Sequence, residues 1–246
     1  MKTATTHART RQDLLEAAGA VFAERGYRNT TVRRICARAG ANVAAVNYHF
    51  GDKLNLYLEV LRRAHARSLR RYPLDMGVLA TAPPEERLRA FVRSFLFRIF
   101  ATGPSARIGK LMAMEMVNPS AALETLVAKH IRPMAELLYG IISELLGPGV
   151  QPQEVRLCGF SIISQCVFHA HCRSVVEELY PDQRFPLKDV ERLATHIVRF
   201  SLAGLKEVAS GRAQPPVSPW PPGRLARSHN GLQPTPPAAC PVGHRH

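Results

Sequence analysis

Acidic residues are scarce in this 246-residue sequence, which has 19 Asp and Glu against 33 Lys and Arg. The formal charge of +14 favours an anionic partner over a basic one. Long apolar runs are also missing, since the longest uncharged stretch of mainly apolar character, 157–172, is broken by Ser161, Gln165 and His169. Spanning a bilayer takes about 20 apolar residues, so we expect no segment to cross a membrane.

Signal-peptide features are missing from the first 25 residues, where Arg9, Arg11, Asp13 and Glu16 interrupt any apolar stretch. We therefore expect cytoplasmic localisation. The five cysteines are an odd number with irregular spacing. Because a cytosolic chain of this size needs no disulfide framework, we expect free thiols.

Motifs for common catalytic chemistry are absent as well. The sequence has no Gly-rich phosphate loop, no His-Glu-x-x-His helix and no Gly-x-Ser-x-Gly turn. We therefore expect neither an enzyme nor a bound cofactor, and we assign no catalytic or metal-ligating residue.

One alternative stays open. Cys166, His169 and Cys172 recur every three residues, so one helical face presents two or three potential metal ligands. A zinc site usually takes about four ligands from more than one segment, and His130 or Glu115 would have to complete it. The alternative function is then a metal-dependent enzyme or a metal-responsive sensor. The competing interpretation is a small buried cysteine beside an interface histidine.

Positive charge is concentrated at the two ends of the chain. Residues 1–75 hold 14 basic and 6 acidic residues, residues 76–210 hold 15 and 13, and residues 211–246 hold 4 and none. The first third thus has the charge expected of a surface that meets phosphate. The last segment carries nine of the 19 prolines, which predicts a disordered tail over 211–246.

Apolar residues between these ends recur at helical spacing, with no alternating strand pattern. The sequence therefore predicts an all-α chain of about nine helices, separated by Gly and Pro signals. The predicted helices are 8–25, 31–38, 42–49, 52–71, 84–101, 105–117, 120–146, 152–179 and 187–209. Pro133 should kink the seventh of them.

The first fifty residues predict a helix-turn-helix unit. Gly26 ends the first helix, Thr30 or Thr31 can cap a short second one, and Gly40 supplies a tight turn. Asn42 can then cap a third helix. In this arrangement the third helix enters the major groove of DNA.

The same region resembles the DNA-binding domain of TetR-type transcriptional regulators. The resemblance rests on Gly26 to Ile35, on Ala39-Gly40, on Tyr48-His49-Phe50-Gly51-Asp52-Lys53 and on Leu56-Tyr57. Three later segments are similar to the ligand domain of the CecR-like branch of that family: 115–123, 131–133 and 161–166.

The resemblance implies a role for each matching position. Val43, Ala44, Ala45 and Asn47 would face base edges, and the Asn47 amide can pair with adenine. The spacing of Val43 from Val46 also allows it a core position. Thr31, Arg33, Tyr48, His49 and Lys53 would contact phosphate and set the register without reading sequence.

Residues 52–210 are then expected to form an effector-binding and dimerisation domain, following a DNA-binding domain at 8–51. The resemblance implies that the last two helices pair with a second copy. Polar or flexible residues among apolar ones mark a pocket for an effector of unknown identity. We predict Met112, Glu115, Met116, Gln165 and His169 for it, although satisfied interhelical hydrogen bonds explain the polar ones equally well.

The expected function is a homodimeric transcriptional repressor that an effector releases from double-stranded DNA at a palindromic operator. The sequence does not distinguish repression from activation, nor does it identify the effector or the operator. The partners expected are thus DNA, a small molecule and a second copy of the chain.

Overall fold

The computed structural model describes residues 2–181 and 189–211, and every regular element in those two ranges is helical. The helices are α1 (Lys2–Arg25), α2 (Val32–Ala39), α3 (Val43–Phe50), α4 (Lys53–Arg71), α5 (Pro84–Ile99), α6 (Arg107–Val117), α7 (Leu123–Leu126), α8 (Arg132–Leu146), α9 (Pro152–His171), α10 (Arg173–Leu179) and α11 (Val190–Ala209). A 3-10 turn, Gly103–Ala106, precedes α6, and a π-helical turn, Val127–Ile131, joins α7 to α8. The predicted all-α class is confirmed.

Two long helices predicted from spacing differ in detail. The segment predicted as 120–146 is helical without a break over 123–146, and it contains the π turn. Pro133 follows the π turn directly, and the kink predicted there stays a prediction. The segment 152–179 is interrupted at Cys172, so α9 and α10 are separate helices. The predicted tail, from residue 212 on, lies outside the described residues.

Two hydrophobic cores organise the described part of the chain. The first joins α1, α2, α3 and α4, and it also takes in Ile108 and Leu111 from α6 and Leu126 from α7. The second joins α5, α8, α9 and α11. The domain boundary predicted at residue 51/52 stays a prediction. The first core crosses it, because α4 and α6 supply part of the packing for the first three helices.

No helix among the described residues combines the length and apolar character needed to cross a membrane.

Candidate nucleic-acid interface and regulatory region

Side-chain caps fix the boundaries of α2, α3 and α4. The Thr31 hydroxyl accepts a hydrogen bond from the Arg34 N–H at 3.3 Å, and Asn42 Oδ1 accepts one from Ala44 N–H at 3.0 Å. Asp52 Oδ1 accepts from Asn55 N–H at 2.7 Å. Gly40 turns the chain between α2 and α3 in the left-handed conformation, with φ of 61°. Each cap satisfies an N–H that a helix start leaves open.

Helix α3 turns one residue inward and most others outward. Val46 is fully buried in the first core, whereas Ala44 and Asn47 are exposed. Val43 is 41% exposed and lies outside the core, so the structure favours its outward position. Ala45 is half-buried and packs against the first core. Of the predicted base-contacting set, Val43, Ala44 and Asn47 thus share the open face.

Tyr48 and His49 form the edge of this face, and the start of α1 lies beside them. The His7 ring meets Tyr48 edge-on at 5.8 Å and lies 6.3 Å from His49. His7 and Thr10 also help to line a surface depression of about 400 Å³ with Ala44, Ala45, Tyr48 and His49. Sequence reasoning missed His7 and Thr10, because they belong to a helix that the motif does not include.

Burial, His7 and Arg11 together lower the pKa of His49. In the chain without DNA, this shift favours the neutral imidazole over the charged form.

Two predicted phosphate contacts lie at the start of α2. Arg33 is exposed on the surface. Thr31 is exposed too, but its hydroxyl oxygen already caps the helix. Because a hydroxyl can donate while it accepts, the cap leaves the Thr31 proton available to an anion at this helix start.

Lys53 differs from the rest of the predicted phosphate set. Its Nζ donates hydrogen bonds to the carbonyl oxygens of Tyr27 and Thr30, both at 2.9 Å. The ammonium also lies 4.1 Å from the centre of the Tyr27 ring, and burial lowers its pKa. Lys53 therefore chiefly holds the start of α4 against the α1–α2 loop through these contacts. One of its three N–H groups is left to donate to phosphate.

Glu115 lies on α6, where α6 packs against α4. Its side chain is 1% exposed, and one carboxyl oxygen accepts from the Tyr57 hydroxyl at 2.8 Å. The other accepts from the Ser120 N–H at 3.0 Å. Burial and the Glu115 carboxyl raise the pKa of Tyr57 well above its usual value. Both oxygens of Glu115 are thus engaged within the protein, which favours the structural interpretation over ligand contact.

The other residues predicted for the pocket do not gather around Glu115. Met112 packs partly buried against the first core, and Met116 is exposed. Gln165 lies on α9 and donates to the Ser161 carbonyl and the Ser201 hydroxyl, at 3.2 and 3.4 Å. His169 lies one turn further along α9, half-buried against Phe168. The five residues are therefore divided between two packing regions.

The metal alternative finds no matching geometry in the described residues. Cys166 is fully buried in the second core, and burial raises its pKa to about 12. Over 2–181 and 189–211, no three His, Cys, Asp or Glu side chains are grouped so that they could hold a metal ion. A buried thiol of this kind behaves as a small apolar side chain.

An apolar cleft of about 590 Å³ opens between the π turn, α8 and α9. Its walls include Val127, Ile131, Tyr139 and Val155, with Arg132, Glu136 and Arg156 as charged members. None of the five predicted pocket residues lines it. Sequence reasoning missed this cleft, because its lining is brought together by the packing of the π turn, α8 and α9, which helical periodicity does not predict.

The wall at Tyr139 depends on a close approach between α8 and α9. Gly159 is buried on α9, and a Cβ atom there would lie 2.6 Å from Cε1 of Tyr139. Only glycine leaves the ring room in its present position.

Large apolar side chains remain exposed on α9 and α11, the two long helices nearest the C-terminal end of the described chain. Phe160 and Phe168 on α9 are 57% and 52% exposed, and Phe200 on α11 is 65% exposed. Leu157 on α9 is similarly open to solvent. An exposed apolar face of this kind is typical of a protein interface.

Comparison with known proteins gives two family matches. Residues 14–60 match the profile described as "Bacterial regulatory proteins, tetR family". Residues 84–205 match "HTH-type transcriptional dual regulator CecR, C-terminal domain". CecR of Shigella flexneri is 29% identical over 154 residues, which make up 56% of this chain and 65% of that protein. The chain thus matches just under two thirds of that relative's length.

Two solved structures share the fold. A linker-substituted mutant of HlyIIR is 25% identical, with a TM-score of 0.54, and the match covers 77% of this chain and 97% of HlyIIR. AibR in complex with isovaleryl coenzyme A and operator DNA is 18% identical, with a TM-score of 0.58 and coverage of 78% and 97%. The second likeness concerns the fold alone.

Proposed function

We propose that this chain, which belongs to the TetR family of bacterial regulatory proteins and carries a CecR-type C-terminal domain, is a homodimeric transcriptional repressor. It binds a palindromic operator, and a small-molecule effector releases it. The observation that carries this proposal is the open face of α3, where Val43, Ala44 and Asn47 are exposed while Val46, on the other side of the helix, is buried.

That face has the chemistry of direct readout. The two small residues Val43 and Ala44 let the helix lie deep in the major groove, where they meet thymine methyl groups. The Asn47 amide then donates to and accepts from adenine. Thr31, Arg33, Tyr48 and His49 lie around this face on α2 and α3, and they hold the register through phosphate.

A second copy of the chain supports operator recognition. Two recognition helices about one DNA turn apart read a palindrome, whereas one helix reads half of it. The apolar face with Phe160, Phe168 and Phe200 is the surface that we assign to this dimer. Burying these rings stabilises the pair by roughly 1.5–3 kcal/mol for each side chain fully covered.

Contacts of α1, α4 and the α1–α2 loop with α6 and the loop after it couple effector binding to DNA binding. Arg28 Nη2 donates to the Pro119 carbonyl at 2.9 Å, and Tyr57 donates to Glu115. Arg107 on α6 pairs with Glu16 on α1 at 3.1 Å. A shift of α6 or of the 118–122 loop therefore moves α1 and α4, and with them the spacing of the two α3 helices.

One structural neighbour is consistent with a small-molecule effector, since AibR was solved in complex with isovaleryl coenzyme A and operator DNA. In this chain the apolar cleft beside Tyr139 is large enough to take a small molecule. We assign the apolar part of the effector to that cleft.

Fluorescence anisotropy with DNA from upstream of the chain's own coding sequence tests DNA recognition. Asn47→Ala should lose about 1–3 kcal/mol of discrimination at one operator position, while Arg33→Ala should weaken all duplexes alike and flatten the salt dependence. Gln153→Ala, which removes an exposed side-chain amide on α9, is the control. Equal affinity of the unmodified chain for operator and random duplex would refute specific repression.

Light scattering coupled to size-exclusion chromatography tests the dimer. Phe200→Glu should convert dimer to monomer and abolish tight operator binding, because a charge is then placed in an apolar interface. Leu79→Glu, at a 73% exposed loop position, controls for the added charge. A Phe200→Glu chain that remains dimeric would place the interface elsewhere.

A further inference from the structure

Arg98 on α5 is a buried cation without a carboxylate partner in the described residues. Arg98 is 7% exposed, and its Nε donates a hydrogen bond to the Ser68 hydroxyl at 3.2 Å. Its Nη1 lies 3.1 Å from the Met134 sulfur, which is a weak acceptor. A guanidinium has five N–H groups, so neutral atoms satisfy only part of this one.

Two histidines lie against the same place. The rings of His65 on α4 and His130 in the π turn are 4.3 Å apart. His65 Nε2 is buried and has no hydrogen-bond partner among the described residues. Burial chiefly lowers the pKa of His65 to about 4, and His130 and Arg98 act in the same direction. The Arg98 cluster, defined as His65, Arg98 and His130, therefore has donors in excess of acceptors.

The backbone at this site is unusual too. His130 lies in the π turn Val127–Ile131, a conformation that is rare and concentrates at functional sites. Met134, which contacts Arg98, follows it by one turn of α8. The widened turn thus brings the histidine and the arginine contact to one place, between α4, α5 and α8.

Burying a guanidinium costs several kcal/mol unless an anion compensates it. Burial accordingly lowers the pKa of Arg98 to about 10. Glu115, the acidic residue buried in the described chain, has both oxygens engaged by Tyr57 and Ser120. The described residues therefore offer Arg98 no counter-ion, and a bound anion could supply one.

We propose that the Arg98 cluster binds the acidic group, a carboxylate or a phosphate, of a small organic anion. The guanidinium supplies charge and paired N–H donors, and His65 donates from Nε2 in the tautomer that carries the proton there. Binding would draw α5 and the π turn toward α4. The binding itself needs only the cluster, whereas its role as the effector signal rests on the proposed function.

The test measures binding to the full-length chain by calorimetry, with butyrate, inorganic phosphate and the neutral amide butyramide as probes. Butyrate or phosphate should bind at least about tenfold more tightly than butyramide, a difference of about 1.4 kcal/mol. Binding of butyrate alone identifies a carboxylate, and binding of phosphate alone identifies a phosphoryl group. Equal binding of butyrate and butyramide, or no binding of either anion at millimolar concentration, overturns the proposal.

Variants at two arginines of α5 locate the site. Arg98→Met should lose anion binding by about tenfold or more, and because methionine is apolar and long it fills the buried space. Arg93→Met is the matched control, since Arg93 is on the same helix but pairs with Glu191 at 2.6 Å on the surface. Arg98→Lys, which keeps a charge, should bind with intermediate affinity. An Arg98→Met chain that is folded by circular dichroism and binds butyrate as before overturns the assignment.

Operator binding is measured separately and without any anion. A chain that binds butyrate through Arg98 but no operator keeps the anion site and loses the proposed function. A chain that binds its operator but no anion keeps the DNA-binding part of the proposed function and loses the anion site.

Discussion

The two ends of α4 carry buried polar groups of opposite character. Near its start, Tyr57 donates to Glu115, whose second oxygen accepts from Ser120. Near its end, His65 and Ser68 meet Arg98, which lacks an anionic partner in the described chain. One end of the helix is thus fully satisfied, and the other is short of an acceptor.

This difference separates two roles that look alike in sequence. A satisfied buried network rigidifies the fold, whereas an unsatisfied one leaves binding energy for a ligand. The Glu115 junction is then a fixed joint between α4 and α6, and the Arg98 cluster is where the same helix responds. Under the proposed function, an effector anion would act on α4 at the Arg98 cluster, and the Glu115 end of the helix would pass the movement to the DNA-binding helices.

The largest effect is expected from breaking the satisfied end. Glu115→Ala removes the acceptor of two buried donors, so the free energy of unfolding should fall by about 3–5 kcal/mol. Urea denaturation followed by circular dichroism measures it. Glu124→Ala, at an exposed position on α7, is the control and should change stability little. A loss below about 1 kcal/mol for Glu115→Ala would mean that the joint is not structural.

At the other end of α4, the titration of His65 should make the free energy of unfolding depend on pH. The pKa of His65 is about 4 in the folded chain and near 6.5 when unfolded, so the unfolded state binds the proton more readily. The contribution of His65 to stability should therefore be lost as the pH drops from about 6.5 to about 4, by at most about 2 kcal/mol because the ring is partly solvated. Below about pH 4.5 stability should keep falling, because Glu59, whose pKa its arginine partners lower to about 2, becomes protonated. Denaturation midpoints across this pH range give the slope.

His65→Phe should make that slope shallower, because one titrating group is gone. The lowered pKa values of His49, His130 and His169 keep part of it. His171→Phe, at an exposed position on α9, should leave it as in the unmodified chain. If both variants keep the slope, another group is responsible for it.

A smaller loss of stability is expected at Lys53, the first residue of α4. Lys53→Met should lower stability by about 1–3 kcal/mol, because two carbonyl oxygens lose their donor. A pure phosphate contact would instead leave stability unchanged and only flatten the salt dependence of DNA binding. Thermal denaturation without DNA separates these outcomes.

The smallest effect is expected at the surface arginine of α5. Arg93→Met breaks an ion pair in which both side chains are partly solvated, so stability should change by at most about 1 kcal/mol. The contrast with Arg98 then measures what burial alone does to an arginine on the same helix. Equal effects of Arg93→Met and Arg98→Met on stability and on anion binding would remove that contrast.

The DNA-binding half was predictable because its signals are local. Asn42, Asp52 and Gly40 act within three residues of their own position, so α2, α3 and α4 begin within a residue or two of the predicted bounds. The role of Lys53 was less predictable, because its partners Tyr27 and Thr30 are far away along the chain. Contact with His7 depends on α1 starting at Lys2 rather than near residue 8.

The regulatory half was harder, because buried polar groups look alike until their partners are known. Glu115 and Gln165 stood out as polar residues among apolar ones, and the structure gives both of them partners within the protein. Arg98 carried the same signal, as the single charge in Phe95-Leu96-Phe97-Arg98-Ile99-Phe100. Helical periodicity could not find the π turn, since such a turn has no regular spacing of its own.

The close approach of Gly159 to Tyr139 offers a genetic handle on effector response. A single added methyl group, in Gly159→Ala, would lie where the Tyr139 ring edge now is and push that ring into the cleft. The cleft would be obstructed from behind while its solvent-facing lining and the DNA-binding helices keep their sequence. If the proposed effector binds in this cleft, cells carrying that allele would keep the proposed repressor on its operator when the effector is present, so one glycine would decide whether the regulated genes can be induced.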